Sequence, residues 1–325
     1  MELPENLISS ARFGRLVPFI GAGVSKLAGA PTWSEFADAA FSQLVDGKVL
    51  TYSDLEQIRN KAMSPRVKLS LALSLAKKSG IEIDFKKILH PQGWEQNEKG
   101  RRVYRALWAL SNNFVTTNYD LWLHLDDVGF SAKELKEENV SKLDNKKIIF
   151  KKDELLISEL AVPDRKTVVH IHGCVEHPKE MLLSTADYLE VYGSLSKDEI
   201  NERNKTRYFL SQLFKDKDLL FIGYQLDELE ILEYLMLKQK QQKTDEENQA
   251  RHYIFQSFFQ SEKKLIDGIK DYFQKLGVVL IPYFRDENNY DELINILEDL
   301  SHKIKIPNPS KIEIERLMEG LLDED

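Results

Sequence analysis

Short runs of apolar, β-branched and aromatic residues punctuate the chain, and longer stretches with apolar positions every three to four residues lie between them. Leu16–Ile20, Phe114–Thr117, Thr167–Ile171, Leu219–Ile222 and Val278–Ile281 are the clearest runs; Tyr253–Phe255 gives a sixth, and Ile148–Phe150 one more inside a charged segment. These runs are continuously apolar rather than alternating, the pattern of strands covered on both faces of a parallel sheet. Helical spacing predicts helices over Trp33–Leu44, Arg66–Lys78, Asp227–Lys238, Ser261–Leu276 and Tyr290–Ile304. Strand–helix alternation of this kind predicts an α/β fold, a Rossmann-like doubly wound parallel sheet. From about residue 33 to 110 helical patterns dominate, and that stretch reads as a helical insertion or cap on the sheet. Residues 126–164 form a charged, lysine-rich excursion whose lysines read as a solvated face, and Gln239–Asn248 is a polar loop or frayed helix end. The main domain is then 1–305. Beyond Pro307 and Pro309, residues 306–325 form a short amphipathic helical tail with Ile312, Ile314, Leu317, Leu321 and Leu322 as its apolar positions.

Composition narrows the function classes. Of 325 residues, 42% are hydrophobic, enough to fill a sizeable core. Lys+Arg number 45 against 53 Asp+Glu, a net charge of −8, so the overall field steers the chain to neither nucleic acid nor an anionic membrane. Cys174 is the only cysteine, which excludes an intrachain disulfide and a multi-cysteine zinc site. No apolar run approaches the ~18–20 residues of a membrane span, and the acidic start, Met1–Glu5, lacks a secretion-signal pattern. The expectation is a cytoplasmic protein.

Candidate chemistry lies at four strand ends. Gly21-Ala22-Gly23-Val24-Ser25 follows the first run. Its glycines permit close backbone approach, and its amides suit a phosphate; a tight strand-to-helix turn without ligand explains it equally well. A dehydrogenase-type fingerprint would want a third glycine where Lys26 stands. Thr116-Thr117-Asn118-Tyr119-Asp120 follows the second run, at the carboxyl end where open α/β sheets bind ligands. There Asn118 could hold a ribose hydroxyl or a water, or it and Asp120 could simply shape a turn. In Val168-Val169-His170-Ile171-His172-Gly173 the two histidines share one side of a strand. Both fit a structural core or half of a metal site, although no partner cluster is evident. His172, nearer the strand end, is the better candidate for an exposed base. The fourth is Ile222-Gly223-Tyr224-Gln225-Leu226-Asp227, a strand, a glycine turn and an acidic residue opening a helix.

Taken in this order, the four motifs resemble the sirtuin-like family, and in particular its bacterial branch of NAD-consuming defence proteins. Gly21–Ser25 followed by Gly29-Ala30-Pro31-Thr32-Trp33 is similar to the family's phosphate loop and its Gly-x-Pro-x-Trp continuation. Thr117-Asn118-Tyr119-Asp120 is similar to its Thr-x-Asn-x-Asp motif, His172-Gly173 to its His-Gly pair, and Gly223–Asp227 to its late glycine motif. The resemblance implies cleavage of the nicotinamide–ribose bond of NAD, with water as acceptor. By the same resemblance Asn118 would orient the ribose or water, and His172 would act as base toward the ribose hydroxyls. Gly21, Ala22, Gly23 and Ser25 would cradle the pyrophosphate, and Asp120 would line the nicotinamide pocket. Gly223 and Asp227 would sit near the adenosine, with Trp33, Thr117 and Tyr224 among the NAD contacts.

Two departures shape the reading. Deacylating sirtuins carry a four-cysteine zinc module, which one cysteine cannot build, and an arginine after Pro-Asp-Phe where this chain has Pro31-Thr32-Trp33. NAD is therefore expected as substrate, with no metal. Rival readings are a zinc-free deacylase or ADP-ribosyltransferase, an NAD-binding regulatory subunit without turnover, and, disfavoured by Lys26, a dehydrogenase. The resemblance further implies a toxic antiphage effector held silent by homo-oligomerisation or by a partner in trans, such as a HerA-type ATPase or a short Argonaute-like protein.

Overall fold

The computed structural model describes residues 3–125, 146–162, 165–192, 204–224, 251–285 and 290–304. Seven strands, β1 (Leu16–Ile20), β2 (Asn113–Thr116), β3 (Lys146–Ile149), β4 (Lys166–His170), β5 (Asp218–Ile222), β6 (His252–Phe258) and β7 (Val278–Phe284), form one sheet. Its order is β3-β4-β2-β1-β5-β6-β7 and every pairing is parallel. Among the described residues the helices are α1 (Glu5–Arg12), α2 (Ala22–Leu27), α3 (Trp33–Asp46), α4 (Tyr52–Asn60), α5 (Pro65–Ser79), α6 (Phe85–Leu89), α7 (Glu98–Leu110), α8 (Thr185–Tyr192), α9 (Lys205–Asp216), α10 (Ile266–Lys275) and α11 (Asp291–Ile304). The sheet is Rossmann-like and doubly wound.

Both faces of the sheet are covered, which explains the continuous apolar runs. All five residues of β1 are buried. Because side chains alternate along a strand, Val17 and Phe19 join one core with Val115, Val169 and Phe221 under α8, α9 and α10. Leu16 and Ile20 join the other with Phe114, Val168 and Leu220 under α1, α7 and α11.

A third core belongs to the cap. Phe36, Phe41 and Leu44 of α3 pack against Leu55 of α4, Leu69 and Ala72 of α5 and Phe85 of α6. Local signals start these helices. Thr32 and Glu35 form a capping box at α3, as do Thr51 and Asp54 at α4. Ser64 caps α5 ahead of Pro65, and Gly80 ends it at φ +67°. The cap also takes in Tyr119 and Leu121 after β2, and Val175, Met181 and Leu183 after β4, so it grips the loops at the carboxyl edge of the sheet.

The helical stretch 33–110 is thus not one unit. Residues 33–89 build the cap, whereas α7 lies on the sheet beside α11, with Val103, Tyr104 and Leu107 buried there. Its strongly one-sided apolar pattern could not distinguish the two destinations. The predicted helix Ser261–Leu276 divides into a 3-10 turn, Gln260–Leu265, and α10. The predicted helix Asp227–Lys238, the polar loop Gln239–Asn248 and the tail 306–325 lie outside the described residues.

Candidate active site

The chain leaves β1 for β2 on one side and later returns to β5 on the other, so the carboxyl ends of these central strands border the topological switch point. Two glycine turns meet there. Gly21 N–H donates to the Ile222 carbonyl (2.9 Å) and Gly23 N–H to the Gly223 carbonyl (2.8 Å). A Cβ on Gly21 would lie 2.5 Å from the Gly223 oxygen and 2.6 Å from Tyr224 Cα. One on Gly223, itself at φ +62°, would lie 2.5 Å from Val24 N. The first and fourth motifs are therefore one packed unit, and their glycines are demanded by each other before any ligand is considered. That packing fixes the first turns of α2, from which Ala22 and Ser25 face a pocket.

The pocket has about 430 Å³ of open space including its mouth. Ala30, Pro31, Trp33, Phe36, Leu89 and Tyr119 supply largely apolar walls. Its polar groups are Ser25, Thr117, Asn118 and Asp120. Apolar walls with a few convergent polar groups are the usual make-up of a small-molecule site.

Those polar groups form one chain of hydrogen bonds. Asn118 Nδ2 donates to the Gly21 carbonyl (2.9 Å) and to Ser25 Oγ (2.7 Å). Ser25 Oγ in turn donates to Asp120 Oδ2. Asp120 Oδ1 accepts from Trp122 N–H (3.1 Å) and, at 3.5 Å, from the Tyr104 hydroxyl of α7. Asn118 N–H is held by Thr116 Oγ1 (3.0 Å). Both protons of the Asn118 amide are thus committed, and among the described residues Oδ1 has no hydrogen-bond partner. Asp120 is only 4% exposed. Burial pushes its carboxyl pKa up, against the lowering effect of Ser25 and the Trp122 amide.

The histidines depart from expectation. His172 is not an exposed base: it is completely buried, with Nε2 2.9 Å from the Tyr192 hydroxyl and Nδ1 3.2 Å from the Tyr188 hydroxyl. Burial, and then the charge of Arg66, lowers its pKa to about 3. Arg66 lies on the Tyr188 ring at 3.5 Å, and Ser70 of α5 binds Thr185 N–H at 2.9 Å, so the cap touches the helix that seals this histidine. The cause is local. Gly173, at φ +78°, turns the chain back so that a Cβ there would strike Glu180, and Leu182 N–H bonds the His172 carbonyl (2.9 Å). The returning segment lays α8 over the ring. His170 is equally deep, but its Nδ1 reaches the Asn118 main-chain carbonyl at 2.8 Å.

Of the predicted residues, Ala22, Ser25, Trp33, Thr117, Asn118 and Asp120 come together around the pocket. Gly21, Gly23 and Gly223 form the packed turns beside it. The Tyr224 side chain is a core element, packed edge-on to Phe19 and tilted against Phe221, rather than a ligand-edge group. Asp227 lies outside the described residues. Sequence reasoning passed over Tyr104, which arrives from a distant helix, and Tyr188 and Tyr192, whose i, i+4 spacing just after the His-Gly pair was a readable signal. Among the described residues no group of three or more His, Cys, Asp or Glu could hold a metal ion, and no helix is long and apolar enough to cross a membrane.

Comparison with protein families matches a model described as SIR2-like domain over residues 112–281, just over half of the chain. The matched stretch contains Asn118, Asp120, His172 and Gly223; the Gly21–Ser25 turn lies outside it and joins the site through the contacts above. A search of curated proteins gave no match.

Proposed function

Because the chain belongs to the SIR2-like domain family, which points to an NAD-utilising enzyme, we propose that it hydrolyses NAD at the nicotinamide–ribose bond. The reaction converts NAD⁺ and water to nicotinamide, ADP-ribose and a proton. The observation that carries this reading is Asn118: a pocket-lining amide whose Nδ2 protons are both placed, leaving Oδ1 to accept from a ribose hydroxyl or the attacking water. The aromatic and aliphatic walls suit a flat pyridine ring. As that ring leaves neutral, the ribose gains oxocarbenium character, which the acceptor Oδ1 and a water-poor pocket favour. A cyclic ADP-ribose product would use the same bond cleavage with an internal acceptor.

In the arrangement seen here His172 is out of play as a base, since both ring nitrogens meet tyrosine hydroxyls. In our reading α8 must yield His172 before turnover. This supports an effector kept silent until self-assembly or a partner in trans acts on the cap and α8, and it fits the antiphage role the resemblance implies.

The test is nicotinamide release from NAD by the purified chain, alone and with its genomic neighbour's product. Asn118→Ala should lower kcat by about 10²–10⁴-fold while NAD affinity changes only a few-fold, because the contact matters most in the transition state. An Asn118→Ala protein that turns over NAD normally would overturn the assignment.

A further inference from the structure

His170, the last residue of β4, has a role that the reading above does not use. His170 Nδ1 lies 2.8 Å from the main-chain oxygen of Asn118. A carbonyl oxygen only accepts, so Nδ1 must carry a proton. His170 is completely buried, and burial, followed by the neighbouring His124, lowers its pKa to about 3. The ring is therefore neutral near pH 7, and Nε2 is a bare acceptor. Opposite it, at 2.9 Å, stands His124 Nε2, which must donate. Burial and then Lys146 bring His124 to about 4, so it too is neutral near pH 7; its Nδ1 lies 3.4 Å from the half-exposed Glu176 carboxylate, a contact that becomes an ion pair only when the ring takes up a proton. His124 sits on the 3-10 turn Trp122–His124, whose last carbonyls accept from Lys146 Nζ of β3, the 3.1 Å bond being to His124 itself.

We infer that His170 and His124 are positioning residues: a two-imidazole relay, anchored on β3, that holds the Asn118 carbonyl and so aims Oδ1 into the pocket. The geometry is economical in one respect. Asn118 N–H and Nδ2 are tied to β2, the Gly21 turn and Ser25, and the relay closes the remaining main-chain freedom from the β4 side. The ring tautomer is the signature of the arrangement, since a free neutral histidine favours the proton on Nε2, the opposite of what the Asn118 carbonyl demands of His170.

This inference rests on the proposed NAD hydrolysis only for its kinetic consequence. Long-range ¹H–¹⁵N correlation on the full-length, ¹⁵N-histidine-labelled protein at pH 7.5 should show His170 with the proton on Nδ1 and His124 with it on Nε2; the reverse assignment for His170 overturns the relay. In nicotinamide-release assays, His170→Ala should lower kcat by about 30–100-fold, the scale of a small misplacement of a reacting contact, with KM for NAD within about threefold. His170→Asn, which keeps an N–H donor near the Nδ1 position, should recover kcat to within about fivefold of the parent. Equal losses in both variants, in step with falling melting temperature, would show a purely structural histidine and overturn the inference. Should the parent release no nicotinamide either alone or with its genomic neighbour's product, the hydrolase reading falls by itself. The relay is then decided by the tautomer and by the Asn118 side-chain amide signals, which His170→Ala should displace and His170→Asn should leave in place.

Discussion

A single hydroxyl joins the amide and the carboxyl group that line the pocket. Ser25 accepts from Asn118 and donates to Asp120, so Ser25→Ala leaves an amide proton and a carboxyl oxygen short of a partner in a buried place. A cost of about 1–3 kcal/mol is expected in urea denaturation, together with a fall in nicotinamide release; an unchanged midpoint would mean that water replaces the hydroxyl without loss. Asn118, Asp120 and Ser25 were legible in the sequence because parallel strands deliver whatever follows them to one edge of the sheet. Tyr104 was not, since nothing local in α7 says which side chain reaches across to Asp120. His172 misled for a related reason. Its place beside a strand end and a glycine suggested exposure, but Gly173 sends the chain back over it rather than away.

At the level of elements, the strands were read nearly complete because a covered parallel sheet writes itself as unbroken apolar runs. The partition of helices between cap and sheet was not, as an amphipathic helix records that it has a buried face and not what it faces. The glycine turns show the same limit: two motifs, separated by two hundred residues, turned out to be mutual packing partners. Gly223→Ala should therefore lower the melting temperature markedly and abolish NAD binding, through both its φ of +62° and the 2.5 Å approach to Val24 N. Gly268→Ala in α10, where a Cβ would meet nothing within 4 Å, should be neutral or stabilising by up to about 1 kcal/mol. Thermal melts of the two variants side by side check the contrast, and equal effects would remove the packing argument.

At the scale of the whole molecule, four histidines among the described residues have pKa values lowered far enough to bear on its response to acid. His90 and His124 are lowered to about 4, and His170 and His172 to about 3, in each case chiefly by burial. Folded pKa values below the unfolded value of about 6.5 mean that the unfolded chain binds more protons. Their contribution is complete above that value and is lost as pH falls through it toward 4 and 3. Each group adds at most about 1.4 kcal/mol per pH unit in that window. Asp120 has the opposite sign: with its folded pKa raised, its contribution is present in acid and lost as pH rises through the raised value. Urea midpoints should thus drop steeply from pH 7.5 to 5, and His172→Gln should flatten the slope by about one group's share. A flat profile would show that these rings take up protons without unfolding.

Trp33 stands on α3 of the cap, lines the pocket, and meets the Tyr119 ring edge-on at 5.6 Å between centroids. Tyr119 is the residue between Asn118 and Asp120, so one indole borders both the space a ligand would fill and the loop that would bind it. That makes the protein its own optical probe. Intrinsic emission should shift on addition of nicotinamide or NAD, and Trp33→Phe should remove the change while Trp94, Trp108 and Trp122 still emit. The pocket's filling could then be followed in real time, without a label and without waiting for a product.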